Sequence, residues 1–133
     1  MIINYLLLLS GSGFGLLFIF IFYYNLLPLY FKILLFQQSI LTLLFWSDPI
    51  KNRNTILHKF DCFVVKLFIF SFIFYKFFLN RKNYILFIIL ALIALFFIYL
   101  SYINSKKKWC SKKHIFFHFM AHIFSITCLF IAV

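Results

Sequence analysis

Two groups of residues in this 133-residue chain have the types and spacing needed for chemistry. His58, Asp61 and Cys62 stand at i, i+3 and i+4, which puts them on one face of a helix. His114, His118 and His122 recur every fourth residue and stripe one face of another helix. Imidazole and carboxylate are ordinary zinc ligands, and a His pair at i, i+4 can grip a metal whose set a second helix completes. The candidate ligands are His58, His114, His118 and His122. Zinc there would bring the pKa of a bound water down to about 7 and make it a nucleophile. Asp61 is the candidate catalytic group, able to orient a histidine or accept a proton. The same residues also have plainer uses. Asp61 can pair with Lys59 or Lys66, His114 follows a lysine run that belongs among lipid headgroups, and His118 can bond a backbone carbonyl or an interfacial lipid.

The elements that must position these groups are apolar runs. The chain is 66% hydrophobic with a mean hydropathy of +1.08, and it contains only two acidic residues. A soluble domain of this size cannot bury that much apolar surface, whereas a bilayer solvates it. Five runs, each about long enough to cross a bilayer, are expected at 5–24, 29–46, 57–79, 84–103 and 114–133. The expected architecture is one all-α domain, a polytopic membrane bundle of about five transmembrane helices. The first run lacks a basic leader and is too long for a signal-peptide core, so it reads as a retained helix. Gly11 and Gly15 form a GxxxG spacing, which lets two membrane helices approach closely. The fourth run carries no charge, and Trp46 marks an interface at the end of the second. Asp48-Pro49 opens the most polar loop with a turn.

Charge sets the expected orientation. The net charge is +11, and its basic residues lie near the ends of the runs or in the loops between them. With five spans, the N-terminus, the second loop and the fourth loop share one side. That side collects Lys51, Arg53, Lys59, Lys66 and the five lysines from Lys106 to Lys113, nine against the four of Lys32, Lys76, Arg81 and Lys82. The N-terminus is therefore expected inside. The third and fifth runs both begin on that side, so all four histidines and Asp61 converge on one leaflet. Basic loops of this kind suit anionic lipid headgroups, the uncharged fourth run is available for lipid or for other membrane subunits, and nucleic acid is not an expected partner. The abundance of Phe, 23 residues, with Lys far ahead of Arg, is what an AT-rich genome encodes. Cys62, Cys110 and Cys128 are odd in number and make no disulfide framework.

The HxxD element at His58–Asp61 and the HxxxH at His114–His118, with His118–His122 as the other register, resemble the alkaline ceramidase-like (CREST) superfamily of membrane hydrolases. The resemblance implies a zinc site at one end of a helical bundle, with His58 as the early ligand, His114 and His118 as the late pair, and Asp61 as the acid. The family's bundle has more helices than this chain supports, and Asn54 stands where the family carries a serine. Two functional expectations follow. One is a small multi-pass membrane protein without catalysis, a structural, assembly or subunit component of a larger complex. The other is an intramembrane zinc hydrolase of a lipid-like amide or ester. A proton or ion pathway would need polar groups through the bilayer middle, where the sequence offers only residues such as Ser71 and Thr127.

Overall fold

Among the described residues five helices follow in chain order: α1 (Ile2–Tyr23), α2 (Leu29–Ser47), α3 (Ile56–Phe78), α4 (Tyr84–Lys107) and α5 (Lys112–Ala132). The computed structural model describes residues 2–47 and 55–133; the expected Asp48-Pro49 turn, with Lys51, Arg53 and Asn54, lies outside the described residues. Within α1, α2, α4 and α5 are stretches long and apolar enough to cross a membrane. α3 carries more charge, in Lys59, Asp61, Lys66 and Lys76. Its 23 residues still reach about 34 Å at about 1.5 Å per residue, enough for a hydrocarbon core of about 30 Å. Leu57 near its start packs against the cluster of Leu7, Trp46 and Ile115 at one end of the bundle. Phe68 and Phe72 pack with Ile21, Leu27 and Ala132 at the other. α3 therefore runs the height of the bundle like its neighbours. The chain is an all-α bundle of an integral membrane protein, and large apolar side chains such as Leu16, Phe70 and Ile85 point outward, as lipid contact requires.

Local chemistry explains where the helices stop. α1 ends in a Schellman arrangement: Asn25 takes the left-handed conformation at φ 50°, its N–H donates to Phe22 O, and Leu26 N–H donates to Ile21 O. Pro28 then starts α2, and Lys32 bonds back to the Asn25 side chain. Thr55 caps α3 and Ser111 caps α5, each hydroxyl accepting from the backbone N–H three residues on. α4 runs to Lys107, beyond the expected 103, and α5 starts at Lys112, ahead of the expected 114. Lys106 and Lys107 close α4 favourably against the negative end of its dipole, so the helix outlasts its apolar run.

The helices are neighbours in the order α3, α2, α1, α5, α4, with only a slight touch between α3 and α5. α1 is thus the central element, and its glycines face both neighbours. A Cβ on Gly11 would meet Thr42 Cγ2 at 2.7 Å, and one on Gly15 would meet Ser39 Oγ at 3.0 Å, both on α2. A Cβ on Gly13 would meet Ile126 Cδ1 at 2.7 Å on α5. The GxxxG pair therefore lies at the α1–α2 contact, and the glycine between them serves the opposite contact. Thr42 is β-branched and stiff, so it has little freedom to yield. Gly11→Leu is expected to destabilise the bundle by about 1–3 kcal/mol through overpacking. A thermal melt in detergent measures this, and an unchanged melting temperature would place Gly11 toward lipid.

Candidate functional site

The end of the bundle where α1 begins gathers the histidines around two indoles. Trp46 from the last turn of α2 lies 5.0 Å, centroid to centroid, from His118 and 6.3 Å from His114. Trp109, in the α4–α5 turn, lies 4.8 Å from His114 and 5.3 Å from His58. Phe45 adds a ring 5.3 Å from His58. His118 continues the series, 5.9 Å from His114 and 4.7 Å from His122. The structure thus brings α2, α3, α5 and the α4–α5 turn together through one connected set of rings. All four histidines lie at this end, as helix direction requires.

The histidines' nitrogens have specific work. His114 Nδ1 accepts from the Cys110 backbone N–H at 3.2 Å, while His114 N–H donates to the Ser111 cap. That arrangement holds Cys110 in its left-handed conformation at φ 54° and closes the turn between α4 and α5. His118 Nδ1 lies 3.1 Å from Ser101 Oγ, tying α5 to α4. His122 Nδ1 lies 2.8 Å from Ser10 Oγ, tying α5 to α1, and the His122 ring meets the edge of Phe14 at 5.4 Å. Ser10 Oγ also lies 3.1 Å from Leu7 O, and which of Ser10 and His122 donates across their pair follows the imidazole tautomer. His58 Nε2 lies 3.6 Å from Cys62 Sγ, one turn along α3.

Asp61 is positioned by α2. It is buried, and its one side-chain hydrogen bond among the described residues is with Gln38, whose Nε2 lies 3.5 Å from Asp61 Oδ1 and 2.9 Å from Thr42 Oγ1. Lys59 and Lys66 are exposed, and neither forms an ion pair with Asp61 among the described residues. α3 packs chiefly on α2 and barely reaches α5, so the carboxylate faces an amide instead of the histidine stripe. Among the described residues, no group of three or more His, Cys, Asp or Glu side chains is arranged to hold a metal ion. The His114 geometry points the same way: with Nδ1 accepting, a neutral ring carries its proton on Nε2, which leaves no lone pair there for a metal. The residues expected as a zinc set share one end of the bundle. In the turn outside the spans, burial pushes the Cys110 thiol above its ordinary value, so it is a poor nucleophile at neutral pH.

Several contributors to this end were not singled out from sequence. Ser10 and Ser101 are buried small polar residues whose only signal was their place in apolar runs. Gln38 had a stronger signal, an amide in the middle of a membrane-length run, and polar groups there face the bundle interior. Gln38 Oε1 and Lys76 Nζ are buried without a hydrogen-bond partner among the described residues. No family model, curated protein or solved structure compared with the chain matches it.

The Gln38–Asp61 contact makes a prediction with a sign. Gln38→Leu leaves a buried carboxyl without its donor and is expected to cost about 1–3 kcal/mol. Adding Asp61→Leu removes the orphaned group and is expected to recover most of that loss. Melting temperatures of the wild type, the two single variants and the double variant in one detergent measure it. A double variant no more stable than Gln38→Leu alone would mean that the two side chains do not depend on each other.

Proposed function

We propose that the chain is a non-catalytic multi-pass membrane protein, a structural, assembly or subunit component of a larger membrane complex, with its N-terminus on the inside. The observation that carries this reading is the use made of the residues with chemical potential. Ser10–His122 joins α1 to α5, Ser101–His118 joins α4 to α5, and Gln38–Asp61 joins α2 to α3. Each pair spans two helices, so these groups hold the bundle together. α4 supports the same reading from outside. It packs chiefly on α5 and turns Ile85, Leu92, Phe96 and Tyr99 outward along its length, a surface for lipid or for another membrane subunit. The orientation rests on the nine-to-four distribution of basic residues.

Two measurements on the full chain test this, the first on purified protein and the second in intact membranes. Zinc by elemental analysis is expected far below one ion per chain. Stoichiometric zinc that disappears in His118→Ala would overturn the non-catalytic reading and favour the hydrolase that the HxxD and HxxxH elements resemble. Membrane-impermeant labelling of single cysteines added at residues 2 and 133, in a background lacking Cys62, Cys110 and Cys128, is expected to modify only the C-terminal one from the outside. Labelling of both from one side would overturn the five-span topology and, with it, the orientation.

A further inference from the structure

Among the described residues, two grooves at opposite ends of α4 differ in character. The larger, about 920 Å³, lies by the α3–α4 turn and has Arg81 as its one basic lining residue. The smaller, about 510 Å³, lies between the end of α4 and the start of α5 and has a different character. Lys107, Lys112 and Lys113 line it together with Asn104, and no carboxylate is among its lining residues. Below the lysines its walls are apolar, with Phe116 and Phe117 on α5 and Leu100 on α4. From Lys107 to Leu100 the groove descends about 10 Å at about 1.5 Å per residue. Its polarity thus runs from cationic at the membrane surface to hydrocarbon within, over the depth of a headgroup, a glycerol backbone and the first methylenes. The cationic end also sits at the N-terminus of α5, whose dipole favours an anion.

We propose that this groove holds an anionic phospholipid, its phosphate among Lys107, Lys112 and Lys113 and its upper acyl chain against Phe116 and Phe117. Charge complementarity selects the occupant. A zwitterionic lipid brings its own cation to a rim that already carries three, and a free phosphate leaves the aromatic walls unused. Lys106 takes no part, since its ammonium lies over the Tyr102 ring at 4.4 Å. The inference rests on the membrane reading of the fold and is independent of whether the protein is catalytic.

Native mass spectrometry of the full chain in detergent tests it, with phosphatidylglycerol and phosphatidylcholine of identical chains added in turn. Phosphatidylglycerol is expected to be retained at least roughly fivefold better, since one lysine near an anionic headgroup supplies about that factor. The triple variant Lys107→Gln, Lys112→Gln, Lys113→Gln is expected to lose the preference, and Arg81→Gln with Lys82→Gln to keep it. All these positions are exposed, and a circular dichroism spectrum verifies the helices of each variant. Should the triple variant fail to fold, Lys113→Gln alone is expected to reduce the preference measurably. Equal retention of the two lipids, a preference that survives the lysine substitutions, or an equal loss in the Arg81/Lys82 variant would overturn the proposal. Displacement of the bound lipid by glycerol 3-phosphate at the same concentration would also overturn it, by assigning the lysines to a free phosphate. Zinc content of the same preparations is a separate readout, so failure of the lipid site leaves the functional reading untouched.

Discussion

A polar side chain inside a bilayer bundle has no water to bond, and the partner it finds there sits on a neighbouring helix or on its own backbone. That constraint organises this molecule. Van der Waals packing between apolar helices is weakly selective, because lipid tails are as apolar as leucine. Polar ties add selectivity, since a register in which they fail leaves buried groups unpaired. Ser10–His122, Ser101–His118 and Gln38–Asp61 each connect a different pair of helices, and together they reach all five. Two of the three ties end on the histidine stripe of α5, one from α1 on one side and one from α4 on the other.

The glycines of α1 make the ties possible. α1 lies between α2 and α5, so it must present small residues on two faces. Gly11 and Gly15 let α2 approach, Gly13 lets Ile126 of α5 approach, and Ser10 then lies within reach of His122. At the same end, Trp46 and Trp109 cover the histidines with flat apolar surface. The indole of Trp46 sits where the aromatic belt of a membrane protein is found, but here it faces inward and is buried. At the other end the packing is chiefly phenylalanine and leucine, and the buried Lys76 Nζ lies 5.8 Å from the centroid of the Phe87 ring.

The helices were legible because composition and run length dictate them, and the gathering of His58, His114, His118 and His122 at one end follows from helix direction alone. The close contact at Gly11 and Gly15 was legible from spacing. The partners of the polar groups were not. Which side chain Asp61 meets depends on α3 lying beside α2 and not beside α5, and the sequence carries no record of neighbour order. Lys59 and Lys66 looked like natural counter-charges for Asp61, but both stay exposed and leave Gln38 as the donor. Lys76 read as a charge near a helix end, whereas it is fully buried. α4 outlasts the expected 84–103 because the apolar run stops before the helix does.

The central claim, that buried polar pairs hold this bundle together, is tested most directly at Ser10 and His122. A double-mutant cycle with Ser10→Ala and His122→Phe keeps an aromatic ring at the position facing Phe14, and it cancels the loss of the Ser10–Leu7 bond, which is common to both arms, so that the bond between α1 and α5 is isolated. Unfolding free energies of the four proteins in one detergent give the coupling. The bond predicts a coupling of about 0.5–1.5 kcal/mol, with the double variant less destabilised than the sum of the singles. Costs that simply add would contradict it, because two side chains that do not interact cannot tie two helices.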